Sequence, residues 1–281
     1  MKMKNIYKLK STLGSGLIIL FLLMCSPLLF ISCNTDETQT VVNFTNLVMA
    51  EEFDVDGPPD PAMWRYDIGT GDNGWGNSEL QYYTDIPDNI IVEGGVLKIT
   101  AREDQFEGSI YTSARINTQG LFEQQYGRIE ARMKLPWGQG LWPAFWLLGS
   151  NIDEVSWPQC GEIDIMENAG SQPTVVSGAV HGPGYNAGEA VTKKYDLVND
   201  RFDTDFHIFG IEWGPGYINY YVDDVLYNQI TPEDVPGEWV FDNGPFFIIL
   251  NVAVGGTFDG PPNEDTVFPQ TMYVDYIRIY D

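Results

Sequence analysis

The chain has 281 residues, 40 of them acidic against 15 basic, for a net charge of −25, and it carries only two histidines. Such a surface repels nucleic acid, anionic lipid head groups and sulfated or uronic-acid polymers, and it suits a neutral partner. With His181 and His207 as the whole supply, histidine-cluster zinc centres and serine–histidine triads are disfavoured.

Lys2, Lys4, Lys8 and Lys10 precede an apolar run from Leu17 to Ile31, broken only by Cys25, Ser26 and Pro27. A basic start and a short apolar core predict an export signal over residues 1–32, not a spanning helix. The run ends Ser32-Cys33, similar to the lipobox of bacterial lipoproteins, in which the cysteine is acylated. An ordinary cleaved signal is the competing reading. Loss of the signal removes four lysines and no acids, leaving 11 basic against 40 acidic residues, or −29. Cys33 and Cys160 would remain, and lipid on Cys33 leaves Cys160 without a partner, so a disulfide scaffold is excluded. Asp36 and Glu37, just after Cys33, are similar to surface-export signals of some Bacteroidetes lipoproteins. The expectation is an outer-membrane lipoprotein facing the cell surface or the periplasm, touching membrane only through that lipid. Residues 33–45 read as a polar tether and residues 46–281 as one domain with room for a sizeable core.

Within that domain, short runs of Val, Ile, Tyr, Phe and Trp are punctuated by glycine and proline, with no amphipathic pattern longer than two helical turns. This predicts an all-β sandwich or jelly roll. Asn77, Glu79, Gln81, Tyr82 and Tyr83 form a polar–aromatic cluster, either hydrogen-bonding equipment for sugar hydroxyls or a turn entering a strand. Gly127–Leu135 alternates apolar with charged residues, as a strand with one solvated face does. Trp137, Trp142 and Trp146 follow within ten residues. Indole faces stack on the C–H faces of sugar rings, although tryptophan in an all-β protein is more often core. About half of the eight tryptophans are expected to be structural, with Trp142 and Trp146 in a cleft.

The octet Gly-Glu-Ile-Asp-Ile-Met-Glu-Asn spans residues 161–168. Glu162 and Asp164 are two apart and leave the same face of a strand. Glu167 has the wrong parity, and one extra residue in a bulge at Ile165-Met166 would return it to that face. Four effective strand steps span roughly 13 Å, and two glutamates leaning together approach the ~5–5.5 Å carboxyl separation of a retaining glycosidase. Three acids aimed at one spot repel, so stability alone seldom keeps them; a merely solvated polar face is the bland alternative. Downstream, Phe206–Trp213 and Tyr217–Val222 flank Gly214-Pro215-Gly216 as a hairpin. Phe246–Val254 is almost continuously apolar, predicting a strand buried on both faces, and Tyr273–Tyr280 closes the chain as another strand.

Taken together, these residues resemble glycoside hydrolase family 16, and within it the laminarinase-like endo-β-1,3-glucanases. The octet is similar to the family's bulged Glu-x-Asp-x-x-Glu signature. Asn77–Thr84, Tyr111–Ile116, Gly140–Trp146, Val180–Tyr185 and Leu250–Gly256 resemble further blocks in the same order. The resemblance implies a concave groove on two curved antiparallel sheets, and endo-cleavage by double displacement with no cofactor for catalysis. Glu162 is then the nucleophile, Glu167 the acid/base, and Asp164 the partner that holds Glu162. It further implies glucosyl stacking on Trp142 and Trp146, and hydroxyl contacts from Arg115, Asn77 and Asn251. His181 is expected on the leaving-group side, and a structural calcium at Glu52, Gly95 and Asp275. The expected partner is a neutral β-glucan, met by a monomer. Many relatives carry Trp-Pro-Gly after the Gly255-Gly256 pair, whereas here Thr257-Phe258-Asp259-Gly260 follows, which leaves the preferred glucan open. Agarose, mixed-linkage glucan and a non-catalytic carbohydrate-binding jelly roll are the alternatives.

Overall fold

The structure is a computed structural model that describes residues 44–281. The predicted export signal, Cys33 and most of the predicted tether lie outside the described residues. The strands in chain order are β1 (Leu47–Glu51), β2 (Arg65–Tyr66), β3 (Gln81–Tyr83), β4 (Ile90–Val92), β5 (Leu97–Ala101), β6 (Tyr111–Ser113), β7 (Arg115–Asn117), β8 (Gly127–Lys134) and β9 (Leu141–Gly149). There follow β10 (Glu162–Glu167), β11 (Val175–His181), β12 (Val191–Asp196), β13 (His207–Gly214), β14 (Tyr217–Val222), β15 (Val225–Ile230), β16 (Phe246–Val254) and β17 (Gln270–Tyr280).

Two large antiparallel sheets result, the sandwich architecture of a jelly roll. One runs β15-β14-β13-β8-β17-β5-β4, with β1 also paired to β17; the other runs β12-β11-β10-β9-β16-β7-β2. A small parallel pair, β3 with β6, lies apart from both. The predicted hairpin forms, with Gly214 opposite Tyr217 across a two-residue turn. Its tip, Gly216, has φ 75°, a left-handed geometry that glycine adopts without a Cβ clash. The longest α-helix among the described residues is one turn, Gly256–Asp259. None there is long and apolar enough to cross a membrane.

The core lies between the two sheets, and β16 shows how its sequence was written for that place. All nine of its residues are buried. The even-numbered ones, Phe246 to Val254, join the inter-sheet cluster. The odd-numbered face is covered partly by the Glu79–Tyr83 segment, where Leu80 donates its N–H to the Val254 carbonyl and Asn251 reaches the Tyr83 hydroxyl. Trp64 and Trp213 are fully enclosed structural tryptophans. Cys160 is buried and unpaired, beside the start of β10.

The decisive local feature is in β10. Its register against β9 runs Glu162↔Leu148, Ile163↔Leu147, Asp164↔Trp146, then Met166↔Phe145 and Glu167↔Ala144. Against β11, Glu162 faces His181, Asp164 faces Ala179 and Glu167 faces Ser177. One extra residue is thus accommodated between Asp164 and Glu167, the predicted bulge. Glu162 and Glu167 oppose residues four apart on both neighbours, so they share a face with Asp164. Ile163, Ile165 and Met166 turn inward and join the core. Opposite the bulge, Gly178 has no side chain because the Tyr220 ring from the other sheet occupies that space; an added Cβ would lie 2.4 Å from it.

Deleting Met166 restores a plain two-residue repeat and turns Glu167 toward the apolar interior. Burying an unpaired carboxyl costs several kcal/mol, and each kcal/mol is about 2–4 °C in a domain this size. We expect thermal denaturation to show a melting temperature lower by roughly 10 °C or more, or no cooperative transition at all. An unchanged melting temperature would mean that the strand does not need its extra residue.

Candidate active site

The outward face of β10 gathers three carboxylates that the bulge aligns. Asp164 is almost closed, with 4% of its side chain exposed, whereas Glu162 keeps 16% open to solvent. Trp157, from the loop between β9 and β10, donates its indole N–H to Glu162 Oε2 at 2.8 Å. Trp142, on β9, donates its own to Glu167 Oε1 at 3.0 Å. His181, directly across from Glu162 on β11, brings Nε2 to 3.0 Å from Asp164 Oδ2 and 3.7 Å from Glu162 Oε1. The backbone N–H of Ala187 donates to His181 Nδ1 at 3.1 Å, which makes Nδ1 the acceptor and leaves the ring proton on Nε2, facing the acids.

Burial is the largest influence on all three acids, and it favours their protonated forms. It pushes Glu162 up to about 8, with the Asp164 charge adding to the effect and His181 and the Trp157 N–H opposing it. Asp164 is raised by burial and drawn back by its hydrogen bond with Glu162. Glu167 is raised furthest: burial and the charges of Asp164 and Glu162 outweigh His181 and the Trp142 N–H. One strand therefore presents Glu167, the most strongly biased toward holding its proton, beside Glu162 and Asp164, which burial biases the same way. That combination can deliver a proton to one side of a bond and a carboxylate to the other.

The aromatic surroundings are held by a polar chain running away from the acids. Trp146 donates its indole N–H to Asn251 Oδ1 at 2.8 Å, and Asn251 Nδ2 donates to the Tyr83 hydroxyl at 3.2 Å. The Tyr83 O–H donates to Glu79 Oε2 at 3.1 Å, where Gln81 Nε2 also donates, while Asn77 Nδ2 donates to Glu79 Oε1. Burial raises the Glu79 carboxyl, and these three donors and Arg115 offset part of that. The Arg115 guanidinium lies between the rings of Trp75 and Trp146, 4.7 and 4.9 Å from their centroids, and pairs with Asp67 at 2.8 Å.

The other expected binding residues have partners within the protein. Asn251 is 5% exposed with both ends of its amide engaged, and Arg115 is sandwiched and ion-paired, and both brace Trp146. Asn77 is tied to Glu79. His181 lies with Glu162 and Asp164. One face of Trp142 is covered by Phe258, stacked at 4.8 Å and 19°, so its contact to the acids is through its N–H edge. Phe258 belongs to the Thr257–Gly260 segment whose departure from the usual pattern was visible in the sequence. Trp157 and Trp75 were missed; neither carries a local signal beyond being a tryptophan near glycine or proline.

The residues expected to hold a structural calcium lie at neighbouring strands, since Glu51 pairs with Ile277 and Leu97 with Val274 on β17. The Asp275 carboxylate accepts from Arg132 Nη1 at 2.6 Å, and both Glu52 carboxylate oxygens accept from Arg278, at 2.7 and 2.9 Å. Gly95 lies in a left-handed turn, φ 78°. The donors expected at Glu52 and Gly95 are backbone oxygens, to which the Glu52 side-chain pairing does not apply. The acid–histidine cluster that is close enough to share an ion, among the described residues, is Glu162, Asp164 and His181 of the site itself.

Comparison with known proteins bears on this arrangement directly. A beta-glucanase of Rhodothermus marinus is 45% identical over 244 residues, covering 83% of this chain and 84% of the relative. The laminarinase catalytic domain of Thermotoga maritima superposes with a TM-score of 0.80 at 51% identity, covering 84% of this chain and 98% of that one. The endo-beta-1,3-glucanase of Pyrococcus furiosus gives 0.80 at 46% identity, over 84% and 94% of the two chains. Residues 77–278, which include the whole bulged strand with Trp142, Trp146 and Trp157, match the family described as Glycosyl hydrolases family 16. The chain therefore belongs to glycosyl hydrolase family 16.

Proposed function

We propose that the chain is a retaining endo-hydrolase of β-1,3-glucan, working as a monomer whose site is built from one chain's residues. The observation that carries this reading is the bulge in β10, which puts Glu162, Asp164 and Glu167 on one outward face. Similarity to laminarinases over most of the chain supports the substrate class.

In the first step Glu162 attacks the anomeric carbon; the carbon–oxygen bond to the leaving sugar breaks while a bond to Glu162 forms. Glu167 gives its proton to the leaving oxygen. Water then enters, Glu167 takes its proton, and the hydroxyl displaces Glu162 with net retention. The attacking form of the Glu162–Asp164 pair has their shared proton on Asp164 and donated to Glu162, leaving the nucleophile charged. Trp157 and His181 hold that pair in place, and the Trp142 N–H orients Glu167 toward the scissile bond. The steps so written call for no cofactor.

Incubating the intact chain with laminarin, mixed-linkage glucan, agarose and xyloglucan, and sequencing the fragments, tests the substrate. Cleavage of internal β-1,3 bonds in laminarin is expected. Similarity to a non-specific endo-beta-1,3(4)-glucanase, 37% identical with a TM-score of 0.75, supports mixed-linkage glucan as the second reading, which faster cutting of that polymer would favour. In the same assay Glu162→Ala should be inactive and recover turnover with azide, giving a glycosyl azide of inverted configuration. Absence of rescue in a folded, glucan-binding variant would remove Glu162 from the nucleophile role.

The raised acids also set a pH dependence of stability. An unfolded glutamate ionises near ~4.3, while folded Glu167 holds its proton well above that. Stability from the protonated side chain is complete below the unfolded value and is lost as pH rises toward the folded one. Glu167→Gln removes this loss. Thermal melts from pH 4 to 8 should show a gain over the parent that is small at the acid end and grows toward neutrality and beyond. A gain that shrinks with rising pH would contradict the burial argument.

We further propose that the N-terminal segment exports the protein and that Cys33 is acylated, on the strength of the basic start, the apolar run and the Ser32-Cys33 pair. This would tether the hydrolase to the outer membrane, on its outer or periplasmic side. Labelling with a clickable palmitate should mark the full chain and be lost in Cys33→Ser; persistent label would refute the anchor.

A further inference from the structure

We propose that a cavity beside the cleft, floored by Trp137, is a second carbohydrate site that holds a glucosyl segment of a neutral glucan. It rests on the glucanase reading above. The cavity measures about 310 Å³, at the small end for ligand sites, and its lining includes Trp137, Gln139, Ser171, Arg201, Asn263 and Asp265. Trp137 is 43% exposed, unlike the enclosed Trp64 and Trp213, so it is not there to fill the core.

The polar groups around it are organised for a neutral ligand. The Arg201 guanidinium lies 5.1 Å from the Trp137 ring centroid, and its Nε and Nη2 donate to Asp203 at 2.8 and 3.0 Å. Its charge is thereby balanced within the protein and does not require an anion, which the strongly acidic chain would in any case repel. Asn263 Nδ2 donates to Gln139 Oε1 at 3.1 Å, and Asn263 Oδ1 accepts from the Asp265 N–H at 2.9 Å, fixing the turn that presents Asp265. Among the described residues no side chain or backbone group hydrogen-bonds to the Asp265 carboxylate, which is free to accept from a hydroxyl. An indole platform, an acceptor and a guanidinium edge are the groups that recognise a hexose.

Position ties this cavity to the cleft. The one-turn helix Gly256–Asp259 is the wall between them: Phe258 stacks on Trp142 on one side, while Asp259 Oδ2 accepts from the N–H groups of Gly140 and Ser171 on the other. Ser171 lines the cavity and is four residues past Glu167, so the two are separated by no more than ~14 Å of chain. A branch or a neighbouring strand of the polymer held there would keep its backbone near the acids between cuts.

The test uses the full chain carrying Glu162→Gln, run in native gels containing laminarin. Removing one stacking ring should weaken retardation, so Trp137→Ala is expected to raise the apparent dissociation constant about five- to tenfold. Trp137→Phe, which keeps a ring, should recover most of that loss, and Asp265→Asn should lose less than Trp137→Ala. Retardation of Trp137→Ala equal to the parent, or of Trp137→Phe no better than Trp137→Ala, would overturn the site and leave the activity standing. An intact chain that leaves laminarin uncut would instead overturn the glucanase reading, and this ligand with it.

Discussion

A single extra residue in β10 is the constraint on which the site depends. A strand with a strict period of two cannot place Glu162 and Glu167 together while also placing Ile163, Ile165 and Met166 in the core. The two-against-one pairing opposite Gly178 makes both possible, because Glu162 and Glu167 then oppose residues four apart on each neighbouring strand. Packing on one side of the strand and chemistry on the other are thus two results of one backbone irregularity. The Tyr220 ring against Gly178 anchors that irregularity from the opposite sheet.

The three acids are stabilised in a way that preserves their protons. Their close polar neighbours are the indole N–H groups of Trp142 and Trp157 and the edge of His181, none of them a lysine or arginine. A guanidinium at this spot would favour ionisation and pull the carboxyls down. Arg115, the nearby cation, is instead held among Asp67, Trp75 and Trp146 on the far side of β9 from Glu162. Neutral donors orient the carboxylates without discharging the proton that Glu167 has to transfer.

What the sequence made readable follows from local periodicity. Phe246–Val254, the Gly214–Gly216 turn and the parity of the acidic octet are short-range patterns, and the backbone follows them. Partner choice among side chains is set by tertiary register and was not readable. Nothing in the sequence neighbours of Asn251 says that Trp146 and Tyr83 take both ends of its amide. Likewise, nothing near Asp275 in the sequence says that Arg132 reaches it from β8, 143 positions away. Trp157 is brought to Glu162 by the course of a loop, and no periodicity governs loops.

Cys160 shows how the same packing governs reactivity elsewhere. Burial, aided by the charge of Glu162, pushes its thiol up to about 11. A sulfur that stays uncharged at neutral pH neither attacks disulfides nor yields readily to peroxide or alkylating reagents. Within the described fold, then, the lone sulfhydryl behaves as an inert filler. Its neighbours keep it from scrambling into mixed dimers wherever the surroundings turn oxidising.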